Sequence, residues 1–295
     1  MHGMRFRTAV AIVAVTAALG SVSACGTGGS GSASATGRHT PPAQAPIAVS
    51  PIAYLVKAED ATAKEHSAKV DGITTVGTLK QTHMSGDLDW ASGAQGNFTM
   101  VIKSSVPTPI PTSRVKLRSD AMYMSTPPKY VTLLGGKHWT KTPFALLAAQ
   151  GAAGKAQADM MQQANPTLSV RMLISSGDVH KVGQENVRGV PATHYSGTLD
   201  AAKITAIRSR GLSPDDAKFL KQEFAAQGIT DAHVDVWVNS DNLLVKKREQ
   251  MQTATAERTA TVYYSDYGVT VDLSTPSASD TFVLTSVTGK KSGAA

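Results

Sequence analysis

Two short stretches decide the fold: Phe98-Thr99-Met100-Val101-Ile102-Lys103 and Val234-Asp235-Val236-Trp237-Val238-Asn239. In both, apolar side chains recur at every second position, which is the period of a half-buried β-strand. The strand geometry places alternate residues on one face, and we expect that face to line the hollow of a sheet. The residues assigned to it are Phe98, Met100, Ile102, Val234, Val236 and Val238. Trp237 then lies on the outer face, over the stem of a lysine from the next strand.

Similar alternation recurs along most of the chain, with Gly-, Pro- and Asp-rich breaks between the runs. Such a pattern predicts antiparallel strands joined by hairpins. Gly135-Gly136-Lys137 is interpreted as one of the hairpin turns. Together with the two stretches above, the predicted strands cover residues 74–90, 96–105, 113–124, 130–140, 168–174, 179–185, 192–199, 233–239, 243–251, 258–267 and 269–273.

Helical spacing of apolar residues is confined to a few segments. The predicted helices cover residues 51–70, 144–164, 201–210 and 214–227, the second interrupted at Gly151 to Gly154. Ser213 and Gly228 are the expected caps of the last helix. These helices are too few to cover a flat sheet. The predicted fold is therefore α+β, with a strongly curved antiparallel half-barrel that holds helices on its concave side.

The N-terminus has the features of a lipoprotein signal. Arg5 and Arg7 precede an uncharged run, and Val22-Ser23-Ala24-Cys25 resembles a lipobox. Cys25 is the only cysteine of the chain, and cleavage before it would leave it as an acylated first residue. An ordinary secretory signal that ends near Ala24 is the alternative, but it leaves an exposed free thiol. The uncharged run of about 17 residues is short for a membrane span.

This signal sets the expected domain organisation. Residues 1–24 form the signal peptide, and residues 25–50 form the lipidated cysteine and a Gly/Ser/Pro-rich tether with a reach of about 25–30 Å. Residues 51–295 form a single folded domain. The expected location is the extracytoplasmic face of the cell membrane, with the protein held by a lipid anchor such as palmitate.

Composition excludes several partners. The formal charge of +7 includes Arg5 and Arg7, and no run of five basic residues occurs, so nucleic acid is not an expected partner. Aromatic residues make up 5% of the chain, which argues against a carbohydrate platform. No Gly-x-Ser-x-Gly, His-Glu-x-x-His or phosphate-loop motif is present, so we expect no catalytic residues, no metal and no cofactor.

Three stretches in the second half resemble the LppX/LprAFG-type lipoproteins. Val182–Asp200 reads VGQENVRGVPATHYSGTLD, Val234–Asn239 with Leu243–Lys247 reads VDVWVN and LLVKK, and Tyr263–Val269 reads YYSDYGV and is followed by Pro276. They cover roughly residues 179–276, and the first half matches only in layout. The resemblance implies a LolA-like half-barrel that binds or carries a lipid or lipoglycan in an apolar cavity, as a monomer and without catalysis. It makes the six inner-face residues candidates for lining that cavity.

Two functions therefore remain open. The first is a membrane-anchored lipid carrier, for which the Ala/Gly/Met segment 145–161 would form a mobile lid. The second is an interaction or stress-sensing module of the cell envelope that uses the same fold to bind a protein partner. Lipid recovered with the purified protein would favour the first, and a crosslinked partner without lipid the second.

Overall fold

The strands of the protein form a single open sheet. The computed structural model describes residues 50–78, 80–105, 112–162, 164–202 and 213–285. Within these residues, twelve strands pair in the order β12-β6-β5-β4-β3-β2-β1-β11-β10-β9-β8-β7, so β12 and β7 are its edges. The strands are β1 Ser67–Val76, β2 Lys80–Asp89, β3 Gln95–Ser104, β4 Thr112–Leu117, β5 Ala121–Ser125, β6 Trp139–Pro143, β7 His180–Val187, β8 Val190–Asp200, β9 Asp231–Asn239, β10 Leu244–Gln252, β11 Glu257–Ser265 and β12 Thr281–Val283.

Neighbouring strands run antiparallel, except for β12, which pairs in parallel with β6. Six α-helices occur in the described residues, and four of them lie between β6 and β9 along the chain. The helices are α1 Pro51–Glu65, α2 Pro128–Val131, α3 Phe144–Ala148, α4 Ala152–Gln162, α5 Pro166–Ser176 and α6 Pro214–Gln227. Residues Ala48–Ala295 belong to one compact unit.

The sheet curves around the helices. A flat array of the eight strands from β4 to β8 would be about 34 Å wide at the usual strand spacing, whereas a helix with its side chains is about 10 Å across. Nevertheless Val115 of β4, Leu199 of β8 and Leu173 of α5 belong to one continuous apolar core. The predicted α+β half-barrel, open at its edges and with helices on its inner side, is confirmed.

The boundaries of α1 and α6 follow from their caps. The predicted range of α6 is confirmed: the Ser213 side chain accepts a hydrogen bond from the Asp216 amide, and Gly228 ends the helix in the left-handed conformation. The prediction for α1 is wrong at its C-terminus. His66 adopts a φ of 59°, which ends the helix, and the following four residues begin β1.

Helix α5 replaces a predicted strand. Residues 168–174 were expected to be extended, because Leu168, Val170, Met172 and Ile174 alternate with other residues. The helix forms because Asn165 caps it through a hydrogen bond from the Thr167 amide, with a proline at its first position. It is buried on nearly all of its sides, and even its polar residues Thr167, Ser169 and Ser175 are covered by other parts of the protein.

Several other predicted strands are also corrected. The 74–90 run contains the end of β1, a turn at Gly77 and β2, and the 113–124 run contains β4 and β5. The 130–140 run contains the end of α2, a turn and the start of β6, and Gly135-Gly136-Lys137 lies in the long connection between the antiparallel strands β5 and β6. Residues 269–273 are not a strand, because polar groups of Arg118 and Asn97 bind the carbonyl of Asp272 in that segment. The predicted 201–210 helix lies mostly outside the described residues.

Candidate functional site

The inner face of β9 is fully covered. Val234, Val236 and Val238 point to the same side, as predicted, and are 1%, 0% and 7% exposed. Helix α5 lies against β8, β9 and β10, and its Leu173 is 0% exposed. The three valines, proposed from sequence as cavity-lining residues, form part of a tightly filled core in this structure.

Buried polar groups hold α5 against this part of the sheet. Lys247 Nζ of β10 donates to Ser169 Oγ of α5 at 2.8 Å and to Glu249 Oε1 at 3.0 Å. Burial by itself would raise the pKa of Glu249, but the adjacent Lys247 and the hydrogen bond from Ser169 lower it below its ordinary value. Lys247 and Glu249 both lie on β10, so separation of α5 would keep their ion pair but remove the Ser169 hydroxyl, which accepts from Lys247 and donates to Glu249.

The inner face of β2 to β5 is different, because four less completely buried methionines lie on it beside buried residues such as Phe98, Val115 and Leu117. Phe98, Met100 and Ile102 share the inner side of β3, and Phe98 is buried at 7% exposure. Met100 is only partly buried, as is Ile102. Met84 of β2 pairs directly with Met100 and is 38% exposed. Sequence and structure therefore agree on the inner face of β3, and the structure adds neighbours to it.

Two of those neighbours come from β5. Val115 pairs with Phe98 on one side and with Met124 on the other, and Leu117 pairs with Met122, so both methionines lie on the inner face and both are partly buried. We call the set Met84, Met100, Ile102, Met122 and Met124 the methionine face. The spacing of Met122 and Met124 by two residues was a signal available in the sequence.

Helices α3 and α4 border this region. Phe144 and Leu147 of α3 belong to the same apolar core as Phe98, and Met161 of α4 packs against it. The two helices are separated at Gly151, whose φ of 98° is suited to glycine. This is the segment predicted to act as a lid, and its movement stays a prediction.

The outer face carries a second, smaller apolar cluster around Trp237. Lys246 Nζ lies 3.6 Å from the centre of the Trp237 ring, which confirms the expected lysine contact. His194 stacks on the same indole at 4.2 Å between ring centres. Glu185 accepts hydrogen bonds from Trp237 Nε1 at 2.9 Å and from His194 Nδ1 at 2.8 Å. The hydrogen bond from Trp237 is the main reason that the pKa of Glu185 is below its ordinary value, and that from His194 also contributes.

A pocket of about 440 Å³ adjoins this cluster on the outer face. Arg188, at the turn between β7 and β8, reaches across the sheet and donates to Asp71 Oδ1 at 2.7 Å. Its guanidinium lies 3.6 Å from the centre of the Tyr263 ring. Burial tends to raise the pKa of Asp71, but hydrogen bonds from Arg188 and His83 lower it below the ordinary value. Of the charged residues that line the pocket, Lys69, Asp71 and Arg188 thus take part in ion pairs.

The described residues contain no cluster of three or more His, Cys, Asp or Glu side chains suited to a metal ion. None of the helices in this part of the chain is long and apolar enough to cross a membrane. Cys25, the predicted site of lipid attachment, lies outside the described residues.

Relatives of the chain occur in Streptomyces. It is 38% identical over 240 residues to an uncharacterized 31.2 kDa protein of the rplA-rplJ intergenic region of Streptomyces griseus, covering 79% of this chain and 78% of that protein. It is 35% identical over 300 residues to a Streptomyces coelicolor protein named "Putative lipoprotein SCO4650", covering 95% of this chain and 96% of that protein. No family model matches the chain.

Two solved structures also resemble it. LprF from Mycobacterium bovis aligns with a TM-score of 0.47 and 16% identity, covering 77% of this chain and 97% of LprF. LppX from Mycobacterium tuberculosis aligns with a TM-score of 0.44 and 12% identity, covering 76% of this chain and 97% of LppX.

The class of the protein is thus an open, helix-filled half-barrel with an apolar inner face. Within that class, the chain belongs to the family of the two Streptomyces proteins, because more than a third of the aligned residues are identical in each comparison, over most of both lengths.

Proposed function

We propose that this protein is a membrane-anchored lipoprotein that binds a lipid or lipoglycan by its acyl chains against the methionine face. The observation that carries the proposal is an inner sheet surface whose apolar side chains are only partly covered. Met84 alone leaves 38% of its surface exposed. An apolar surface left uncovered on the hollow side of a sheet is a reason to expect a ligand there.

Methionine suits this role because its side chain is flexible and polarisable. Met100, Met122 and Met124 can therefore adjust to acyl chains of different length and branching. Each methylene group transferred from water to such a surface contributes about 0.8 kcal/mol. In this proposal α3 and α4 form the lid, and the core beneath α5 stays closed, so cargo enters from the β2–β5 side.

The proposed anchor is an acylated Cys25, with residues 1–24 as the signal peptide, 25–50 as the tether and 51–295 as the lipid-binding domain. It is supported by the lipobox-like sequence and by the relative named as a lipoprotein, which the chain matches over 95% of its length. The anchor would hold the protein on the extracytoplasmic face, where a carrier of envelope lipids is needed. The proposal assigns it no catalytic residue and no cofactor.

Lipid binding is tested with the chain from Gly26 onward, which retains the whole compact unit Ala48–Ala295. Mass spectrometry of an organic extract should identify a co-purified lipid, and a fluorescent fatty acid should bind. Met100→Asp should weaken binding of the fluorescent fatty acid by about tenfold or more, because it places a charge in the apolar site.

Thr99→Asp is the matched control, since Thr99 is exposed on the outer face of the same strand. Its affinity should stay within about twofold of the wild type. The proposal is wrong if no lipid is extracted and the probe does not bind, or if both substitutions weaken binding equally.

The anchor has a separate test. Cys25→Ser should release the protein into the medium, whereas the wild type should remain with the membrane and carry the mass of the acyl chains. A Cys25→Ser protein that stays membrane-bound, together with unprocessed and unacylated wild type, would contradict the anchor.

The outer-face pocket favours one alternative, an interaction module that binds an envelope protein. Its lining includes Tyr263 and Arg188, and Tyr and Arg are residue types enriched in protein interfaces. Crosslinking in intact cells decides between the two: a partner captured by an apoprotein that lacks lipid supports the module, and a lipid-loaded protein supports the carrier.

A further inference from the structure

The positive charge of this protein is concentrated in one segment. Residues 90–158 contain eight Lys or Arg residues and a single acid, Asp120, for a net charge of +7. The formal charge of the entire chain is also +7, so the remaining residues are electrically balanced. The segment includes β3, β4, β5 and β6, which lie side by side in one half of the sheet.

The strand register brings several of these cations to one end of that half. Lys103 lies opposite Gln81, next to Lys80, at the end of β3 and the start of β2. The Arg114 amide near the start of β4 donates to Ser125 Oγ at the end of β5. The segment between β5 and β6, which includes Lys129, leaves the sheet at the same end. We call Lys80, Lys103, Arg114 and Lys129 the basic rim.

The four side chains of the basic rim have no carboxylate partner among the described residues, and Asp280, which lies beside the start of β6 at the same end, is paired with His138. All four side chains are exposed, and none of them takes part in an ion pair with another residue of the described ranges. Other cations of the same half behave differently: Lys116 is paired with Asp272 and Lys141 with Asp120. The positive charge at this end is therefore available to an external partner.

An exposed leucine projects beside the basic rim. Leu133, in the turn after α2, is 78% exposed, more than any other large apolar residue in the described ranges. The turn is fixed by hydrogen bonds from the Leu134 amide to the Tyr130 carbonyl at 3.0 Å and from the Gly136 amide to the Val131 carbonyl at 2.8 Å. Leu133 is thus held outward by a defined backbone.

Aromatic rings accompany the cations at this end. Lys129 Nζ lies 4.9 Å from the centre of the Tyr130 ring, and the Arg114 guanidinium lies 5.2 Å from that of Trp139. Basic residues next to Tyr, Trp and an exposed Leu are the combination that proteins place at a bilayer surface, where cations meet lipid phosphates and apolar groups enter the boundary.

We propose that this end of the half-barrel docks on the surface of an anionic lipid bilayer, with Leu133 inserted and the basic rim against the headgroups. The methionine face reaches the same end, because Ile102 and Met124 lie within two residues of Lys103 and Ser125 respectively. Docking would turn the opening of that face toward the membrane. This last consequence rests on the proposed lipid binding, whereas the docking itself does not.

The test uses the chain from Gly26, which lacks the acyl anchor, in sedimentation with vesicles. Vesicles of phosphatidylglycerol and phosphatidylcholine should bind it, pure phosphatidylcholine vesicles should bind it much more weakly, and added salt should reduce binding. Lys103→Gln/Arg114→Gln/Lys129→Gln should lower affinity by about fivefold for each charge, on the order of a hundredfold in total. Leu133→Asp should lower it by about tenfold or more.

Two control variants carry the same chemical changes elsewhere. Val182→Asp alters an apolar residue that is 57% exposed on edge strand β7, and Lys64→Gln/Lys181→Gln/Lys218→Gln removes three exposed charges outside the basic rim. Circular dichroism checks that every variant is folded. Three results would each overturn the docking proposal. The two triple variants lose vesicle affinity equally, Leu133→Asp and Val182→Asp lose it equally, or the protein does not bind anionic vesicles.

Binding of the fluorescent fatty acid, measured without vesicles, separates the two proposals. A protein that binds the fatty acid but ignores anionic vesicles retains the lipid-binding function and loses the docking surface. A protein that binds vesicles through the basic rim but takes up no fatty acid retains the docking surface alone.

Discussion

The half of the sheet formed by β8, β9 and β10 and the half formed by β2 to β5 have different inner faces. The first is lined by Val234 and Val236 and closed by α5, with buried polar contacts between Lys247 and Ser169. The second is lined by partly exposed methionines. Both halves follow the same alternating strand pattern, so the difference arises from what covers each face. One half is filled by α5, and the other leaves part of its apolar surface uncovered.

The largest expected effect is a change in the free energy of unfolding, found when one residue from each inner face is truncated. Leu173→Ala should lower the free energy of unfolding by about 3–4 kcal/mol, because Leu173 is 0% exposed and its truncation leaves a cavity under α5. Met124→Ala should cost about 1 kcal/mol, because that side chain is only partly buried. Urea unfolding of both variants measures the difference, and equal costs would show that the two halves are filled to the same degree.

A smaller loss of stability is expected where α5 and the connection after it approach β8 closely, at Gly197. A Cβ added at Gly197 would lie 2.0 Å from the Asp178 carbonyl oxygen and 2.8 Å from Leu173 Cδ1. Gly197→Ala should therefore destabilise the protein by about 1–3 kcal/mol through overpacking. Gly183→Ala on β7 is the control, because a Cβ there meets no atom within 4 Å. Thermal unfolding in which both variants match the wild type would rule out tight packing at Gly197.

The smallest effect concerns the outer side of the closed half. Glu185→Gln should lower the free energy of unfolding by only about 0.5 kcal/mol at neutral pH, since the carboxylate is partly exposed and its interactions are screened by solvent. The folded-state pKa of Glu185 is below its ordinary value of 4.5. Its stabilising contribution is therefore complete above that value and disappears as the pH falls through the lower folded-state pKa.

Melting temperatures of the wild type and Glu185→Gln measured from about pH 7 down to about pH 3 check this sign. The gap between the two proteins should close at the acidic end. A gap that stays constant or widens would mean that the charge of Glu185 does not stabilise the Trp237 cluster.

Much of the fold could be predicted from local patterns. The inner and outer faces of β3 and β9 followed from alternation, α6 from Ser213 and Gly228, and the contact of Trp237 with a lysine from strand adjacency. Helix α5 could not be found in this way. Its apolar residues alternate from Leu168 to Ile174 as they would in a strand, and the Asn165-Pro166 start was a signal for the helix.

The candidate site could be predicted only in part, because local sequence patterns do not show which tertiary contacts a side chain makes. Periodicity assigns a residue to a face but carries no information about what covers that face. Val236 and Met100 therefore looked equivalent in the sequence, and both were proposed to line a cavity. The structure separates them, and it adds Met84, Met122 and Met124, which come from strands whose limits the sequence had merged.

The sequence by itself determined the alternating strands, the capped helix α6, the lipoprotein-like N-terminus and the concentration of positive charge in residues 90–158, because these are properties of neighbouring residues. Only the tertiary structure decided which inner face is closed by α5 and which is left partly open, and that the basic rim and Leu133 meet at one end of the sheet. Burial and charge clustering depend on contacts between residues far apart in the chain, and those contacts exist only once the sheet has curved around its helices.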